Sequence, residues 1–121
     1  MKYTVEVGVK CTKWYKEGTK ILHRENGPAI EWTNGEKHWL IDDKFHRVDG
    51  PASEFASGTK YWYKNGLLHR EDGPAREFYS GQKEWYLNGE CLSEEEFLKK
   101  INSYDGKVVE IDGKKYTLTC L

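Results

Sequence analysis

The chain has 121 residues and a formal net charge of −1, from 19 basic and 20 acidic side chains. That length is typical of one domain, and the balanced charge argues against nucleic-acid binding, which needs a basic face to neutralise phosphates. We therefore predict a single domain over residues 1–121 with no nucleic-acid partner.

Two further features limit the class of protein. No apolar run approaches the ~20 residues of a membrane-spanning helix, and the first residues alternate polar and apolar side chains, unlike a signal peptide. These features predict a cytoplasmic protein with no membrane partner. The three cysteines, Cys11, Cys91 and Cys120, are widely spaced and odd in number. They predict reduced thiols, with no zinc site and no cofactor.

The first 22 residues predict a strand followed by an incomplete structural unit. Residues 2–11 carry apolar side chains at alternate positions, which is typical of a β-strand. Residues 14–22 then resemble residues 62–68, with two residues more. We interpret residues 1–22 as an N-terminal strand and a degenerate half-repeat.

Three complete copies of a 23-residue repeat follow without a gap, and nine positions are identical in all three. The copies are residues 23–45 (HRENGPAIEWTNGEKHWLIDDKF), 46–68 (HRVDGPASEFASGTKYWYKNGLL) and 69–91 (HREDGPAREFYSGQKEWYLNGEC). Each copy has two turn signals flanked by aromatic and β-branched residues, which predicts hairpins with strands of about five residues. The expected turns are Asn34-Gly35, Ser57-Gly58 and Ser80-Gly81, then Asp42-Asp43, Asn65-Gly66 and Asn88-Gly89.

The first turn of each copy fixes the expected strand pairing. A three-residue loop closed by a left-handed Gly35 places Glu31 opposite Lys37. Two positions further along the same face, Ala29 lies opposite Trp39. The equivalent pairs are Glu54 with Lys60, Glu77 with Lys83, Ala52 with Trp62 and Ala75 with Trp85. The aromatic residues predicted on the other face are Trp32, Phe55 and Phe78.

Residues 92–121 predict a cap for the open end of the sheet. The run Ser-Glu-Glu-Glu is a capping-box pattern, which predicts a helix from Glu94 to about Asn102. Residues 108–119 alternate around an Asp112-Gly113 turn and predict a terminal hairpin. The predicted fold class is mainly β: an elongated antiparallel β-meander of 23-residue hairpin repeats, with a short C-terminal helix and a terminal β-hairpin.

The repeated His-Arg pairs allow two interpretations. They could form a ladder of cationic groups for an anion, such as a nucleotide phosphate or an acidic strip of a partner. Alternatively, each arginine pairs with an acidic neighbour, such as Glu25, Asp49 or Glu71, while each histidine packs against a ring. We favour the second, because a residue needed in every copy usually serves the repeat itself. Equivalent histidines should lie ~10 Å apart, too far to share a zinc ion. The pairs are His23 and Arg24, His46 and Arg47, and His69 and Arg70.

Two other sets of residues are candidates for binding. Trp39, Trp62 and Trp85 could stack on bases or sugars, or simply pack as an aromatic ladder facing the terminal helix. Positions that differ between copies are better candidates for a specific surface, because they do not serve the repeat. These positions hold Ile30, Ser53 and Arg76, then Thr33, Ala56 and Tyr79, then His38, Tyr61 and Glu84. The predicted binding residues are Arg76, Tyr79, Tyr61, His38, Tyr63 and Tyr86, together with the six residues of the His-Arg pairs.

Catalytic signatures are missing from the sequence. It contains no nucleophile elbow, no His-Glu-x-x-His and no phosphate-cradling loop. Cys91 is close in sequence to acidic residues, which disfavour a thiolate. We therefore predict a protein that is not an enzyme.

The repeat resembles the MORN-like family of short β-hairpin repeats. It is most similar to the divergent version that starts with His-Arg-x-Asp-Gly-Pro-Ala and ends with Trp-Tyr-x-Asn-Gly, familiar from phages and large viruses. The resemblance covers residues 14–101, and residues 91–97 match the Leu-x-Glu-Glu-Glu-Phe helix that often ends such chains. It implies a module for protein or membrane-lipid contacts, or a scaffold.

Three functions are therefore open. The first hypothesis is a non-enzymatic protein–protein interaction module, as a phage accessory protein that binds and blocks a host defence protein in the host cytoplasm. The second is a protein that sequesters a small anionic nucleotide between the His-Arg pairs and tyrosines. The third is a structural scaffold. A homodimer that pairs through exposed sheet edges is also open.

Overall fold

The computed structural model describes residues 2–102, together with the strands at 108–111 and 114–117. The predicted turn at Asp112-Gly113 and Cys120 lie outside the described residues. The strands before the first complete copy are β1 (Tyr3–Val7) and β2 (Cys11–Lys16). The first copy holds β3 (Ile30–Trp32), β4 (Lys37–His38), β5 (Leu40–Ile41) and β6 (Lys44–Phe45). The second holds β7 (Ser53–Glu54), β8 (Lys60–Tyr61), β9 (Tyr63–Lys64) and β10 (Leu67–Leu68). The remaining elements are β11 (Arg76–Glu77), β12 (Lys83–Leu87), β13 (Glu90–Leu92), α1 (Glu94–Ile101), β14 (Val108–Ile111) and β15 (Lys114–Thr117).

The main element of the fold is one antiparallel sheet of nine strands, in the order β1-β2-β3-β4-β7-β8-β11-β12-β13. Strands β5 and β6 form a separate two-stranded hairpin, and so do β9 and β10. Each of the first two copies thus contributes one hairpin to the main sheet and one beside it. The predicted mainly β meander with a short C-terminal helix is confirmed.

The predicted Glu–Lys register is also confirmed, whereas the paired strands do not include the alanines, so the Ala–Trp pairing stays a prediction. Glu31 lies opposite Lys37, and the equivalent Glu–Lys pairs recur in the second and third copies. The reason is the turn: Gly35 has a φ of 97°, and the Trp32 N–H donates to the Glu36 carbonyl at 2.8 Å. A glycine adopts this left-handed conformation without steric cost, so the loop length and the register are fixed together.

Strand lengths differ from the sequence prediction of about five residues. Most strands in the first two copies have two residues, because the chain leaves the main sheet at Trp39 and at Trp62. There the backbone N–H of each tryptophan donates to an alanine carbonyl of the next copy, Ala52 or Ala75, at 2.7 Å. These bonds join consecutive copies.

The N-terminal prediction was wrong in one respect. Residues 2–11 do not form one strand: β1 ends at Val7, and Cys11 begins β2. A tight turn separates the two strands, closed by the Gly8 N–H donating to the Cys11 carbonyl at 2.8 Å. Alternation alone did not reveal this turn, since apolar residues continue through it.

The C-terminal helix agrees closely with the prediction. Helix α1 starts at Glu94 and ends at Ile101, with Asn102 as its C-cap. The Ser93 hydroxyl accepts from the Glu96 N–H at 3.1 Å, and the Glu96 carboxylate accepts from the Ser93 N–H at 3.3 Å. This reciprocal capping box satisfies two free donors of the first turn. Phe97 is buried where the helix packs on β12 and β13.

Candidate functional site

The three repeated histidines support the second turn of each copy. The Nδ1 atom of each ring accepts a hydrogen bond from the backbone N–H nineteen residues later. The donors are Asp42 (3.0 Å), Asn65 (3.1 Å) and Asn88 (2.9 Å). All three donor residues have positive φ values, between 48° and 51°, which residues other than glycine rarely adopt. The sequence predicted packing of each histidine against a ring and did not predict this backbone hydrogen bond.

The repeated arginines form a second internal contact. Each guanidinium stacks on the tryptophan of the preceding copy, at 3.8–4.0 Å from the ring centroid. The stacked pairs are Arg24 on Trp14, Arg47 on Trp39 and Arg70 on Trp62. The Nη1 atom of Arg47 also donates to the Pro51 carbonyl at 3.0 Å, and its Nε to Asp49 at 3.1 Å. The predicted pairing of arginine with nearby acids is seen at Asp49, whereas Glu25 and Glu71 face histidines instead.

These stacks bear on the prediction that the tryptophans form an open stacking platform. One face of Trp39 and one face of Trp62 are occupied by guanidinium groups, so these rings are not an open stacking platform on that side. The position after Trp85 that would hold the next His-Arg pair is occupied by Leu92 and Ser93.

Two open grooves lie between successive connecting loops. One, of about 680 Å³, separates residues 24–27 from residues 46–49. The other, of about 660 Å³, separates residues 46–51 from residues 69–72. Acidic side chains line both grooves beside the arginines, among them Asp49. The grooves therefore carry both signs of charge.

Two of the three sets of positions that differ between copies form one row on the sheet, and the set of Thr33, Ala56 and Tyr79 lies outside it. Successive cross-strand partners run from Ile30 in β3 to Glu84 in β12, passing through every strand between them in the main sheet. The row is Ile30, His38, Ser53, Tyr61, Arg76 and Glu84. We call the side of the sheet that carries this row the variable face. The Glu–Lys pairs alternate with it in register and lie on the opposite side.

Aromatic rings surround this row on the variable face. The His38 ring meets Phe45 and Phe55 edge-on, each at 5.7 Å, and Tyr61 meets Phe55 at 5.0 Å. Phe45 stacks on Tyr63 at 4.9 Å. These rings are all half-buried, so each one keeps an exposed part. Together with Phe78, whose ring lies 5.9 Å from that of Tyr61, they form a continuous stripe across the first two copies and into the third.

Arg76 is the charged centre of the stripe. Its guanidinium lies over the Tyr61 ring at 4.6 Å and pairs with Glu84 at 3.0 Å. Its Nη1 also donates to the Tyr86 hydroxyl at 3.3 Å. The Nε of Arg76 is buried without a hydrogen-bond partner among the described residues. Such an unsatisfied donor costs about 1–3 kcal/mol.

Burial affects two titrating groups in the stripe. Desolvation lowers the pKa of His38, although Glu36 acts in the opposite direction. Desolvation raises the pKa of the Tyr63 hydroxyl, and Arg76 partly offsets this effect. Both shifts favour the neutral form of the side chain, so the stripe carries little charge apart from the Arg76–Glu84 pair.

The structure thus separates the binding candidates into groups. His38, Tyr61, Tyr63, Arg76 and Tyr86 lie together in or beside the stripe. The His-Arg pairs serve the joints between copies. Tyr79 is 76% exposed near the first turn of the third copy, where its N–H donates to Thr59.

The phenylalanine rings of the stripe, Phe45, Phe55 and Phe78, were not chosen as binding candidates from the sequence. Phe55 lies two residues after Ser53, so both side chains are on one face of the strand, and this spacing could have identified Phe55 as part of the stripe. Phe45 lies on the separate hairpin of its copy, and no short-range pattern places it beside His38.

Comparisons with protein-family models, with curated proteins and with solved structures found no match to this chain. The resemblance to MORN-like repeats therefore remains a prediction from the residues. Within the described residues, no helix is long and apolar enough to cross a membrane. The same part of the chain holds no group of three or more His, Cys, Asp or Glu side chains arranged to bind a metal ion.

Proposed function

We propose that this protein is a non-enzymatic interaction module that binds another protein through the variable face. The observation that carries the proposal is the row from Ile30 to Glu84. Residues that the repeat leaves free to differ lie side by side, and all of them except the buried Ser53 keep an exposed part. They are joined to a half-buried aromatic stripe. A surface that is specific to this chain is expected where the copies differ.

The composition of the stripe supports a protein as the partner. Tyrosine and arginine are enriched at the residues that contribute most to binding energy in protein interfaces. Half-buried rings are already fixed by their neighbours, so little side-chain entropy is lost when a partner covers them.

A small anionic nucleotide is the second candidate. The two grooves between connecting loops support it, because their volumes of about 660 and 680 Å³ are those of small-molecule sites. The arginines of the loops are less suited to it. Arg47 and Arg70 are held by a tryptophan ring, a proline carbonyl and carboxylates, which already use much of their binding capacity.

The biological setting of the proposal rests on the resemblance alone. Similar repeats are familiar from phages and large viruses, so the partner we propose is a host protein, such as a defence factor, that the module blocks in the host cytoplasm. A structural scaffold is the remaining alternative.

Native mass spectrometry of the protein purified from a host lysate tests the proposal first. A stoichiometric protein companion is the expected result. A bound mass of a few hundred daltons would overturn protein docking and favour the grooves. The bare chain alone would leave the scaffold as the better explanation.

Matched variants then locate the surface. Tyr61→Ala and Arg76→Ala should lose the companion protein, because both side chains belong to the stripe. Lys60→Ala and Lys83→Ala are the controls, since these lysines are adjacent in sequence to the row but lie on the opposite side of the sheet. Equal capture by all four variants, with thermal melts confirming that each is folded, would contradict the use of this face.

A further inference from the structure

The outer edge of β1 is the feature that the proposed function leaves unexplained. Strand β1 is the first strand of the nine-stranded sheet, and among the described residues only β2 pairs with it. At the other end of the sheet, α1 packs against β12 and β13. An uncovered edge strand presents backbone donors and acceptors in the geometry that another strand requires.

The hydrogen bonds to β2 show which backbone groups are free. The Gly8 N–H donates to the Cys11 carbonyl, so this pair is of the hydrogen-bonded type. Because the two types of pair alternate along an antiparallel ladder, Glu6 and Thr4 also bond to β2. The N–H and C=O groups of Tyr3, Val5 and Val7 therefore point away from the sheet. The β1 edge has a donor and an acceptor at every second residue.

Two of these residues, Val5 and Val7, have side chains that are unusually exposed for valine. Val5 is 46% exposed and Val7 is 78% exposed, on a strand that is otherwise regular. Tyr3 lies on the same side and is anchored, because its hydroxyl accepts from the Glu25 N–H at 3.0 Å. An apolar strip thus follows the free edge.

We propose that two copies of this chain pair through β1, antiparallel and edge to edge, to form one continuous eighteen-stranded sheet. Charge complementarity selects the second copy as the occupant. In the register that places Thr4 opposite Thr4 of the second copy, Lys2 faces Glu6 and Tyr3 faces Val5. Each contact occurs twice because of the two-fold axis. Aromatic–β-branched pairs and opposite-charge pairs are both favourable across antiparallel strands.

Sedimentation across a concentration series at low salt tests the proposal. The wild type should reach twice the 14.2 kDa of one chain. Lys2→Glu or Glu6→Lys alone should weaken the dimer about tenfold, because two attractive pairs become repulsive. Opposite charges again face each other between copies in the double variant Lys2→Glu/Glu6→Lys, so it should pair more tightly than either single variant. Its recovery should be partial, because Glu6 also pairs with Lys20 of its own chain at 3.3 Å, and the swap places a like charge beside Lys20. A monomeric wild type at all concentrations, or a double variant as weak as the single ones, would overturn the proposal.

Hydrogen exchange identifies the edge independently of the charges. The Val5 amide should exchange slowly in concentrated samples and quickly in dilute ones, whereas the Glu6 amide, which bonds to β2, should be protected in both. Similar exchange of Val5 at both concentrations would contradict pairing at this edge. Partner capture through the variable face should persist in a monomeric Lys2→Glu variant, so failure of the dimer and failure of the proposed function give different results.

Discussion

The variant Arg47→Ala tests whether Arg47 stabilises the fold or binds an anion. In the wild type the guanidinium stacks 3.8 Å from the Trp39 ring centroid and donates to the Pro51 carbonyl at 3.0 Å. A stack of this kind contributes about 0.5–2 kcal/mol, and the hydrogen bond about 0.5–1.5 kcal/mol. Asp49 is 86% exposed, so its ion pair adds less than about 1 kcal/mol. The expected loss is about 2–3 kcal/mol in the free energy of unfolding.

Thermal unfolding measures this loss. For a chain of this length, 1 kcal/mol shifts Tm by about 4 °C, so Arg47→Ala should lower Tm by about 8–12 °C. Arg47→Lys should recover less than half of the loss, because an ammonium group lacks the planar surface that stacks on Trp39. Lys60→Ala is the control for removal of a surface charge and should change stability by less than about 0.5 kcal/mol. A melting curve of Arg47→Ala within about 2 °C of the wild type would refute the structural role.

Three further predictions follow from single contacts. Gly50→Ala should cost about 1–2 kcal/mol in thermal unfolding, because the added Cβ would lie 3.0 Å from the Arg47 Cζ and push it off Trp39; an unchanged Tm would count against the stack. His38 should titrate by NMR below the ordinary histidine pKa. Since the folded state favours its neutral ring, the free energy of unfolding should fall as the pH drops below about 6.5, more steeply than in His38→Gln; parallel curves would rule this out. Ser93→Ala should lower the free energy of unfolding, measured with urea, by about 1 kcal/mol, because it removes the N-cap acceptor. Ser93→Thr should retain most of the wild-type stability, and equal losses in the two variants would exclude the cap as the cause.

The local features of the fold could be predicted because short sequences determine them. A left-handed glycine in a three-residue loop sets the Glu31–Lys37 pairing without reference to the rest of the chain. A capping box likewise sets the start of α1. The spacing of turn signals then gives the order of the strands. These predictions needed no contact between copies.

Features that depend on contacts between copies were harder to predict. The stack of Arg47 on Trp39 joins residues whose proximity depends on how one copy docks on the next. The hydrogen bond from Asn65 to His46 crosses nineteen residues, and the sequence showed only that both residue types recur. The binding candidates were found where variation between copies identified them, as at Arg76. Phe45 was missed because its position depends on the separate hairpin.

Every joint between copies is built in the same way, which has a consequence for how such a chain can change. If residues 46–68 were removed, Arg70 would reach Trp39 as Arg47 does now, and the sheet would lose two strands without losing its ends. The row on the variable face would then bring His38 opposite Arg76, a neighbour it does not have at present. The copies behave as interchangeable units that share the same joint and differ in the residues they place on the variable face. Duplication, loss or reordering of whole copies can therefore generate a new recognition surface in one genetic step, with no substitution at any single position.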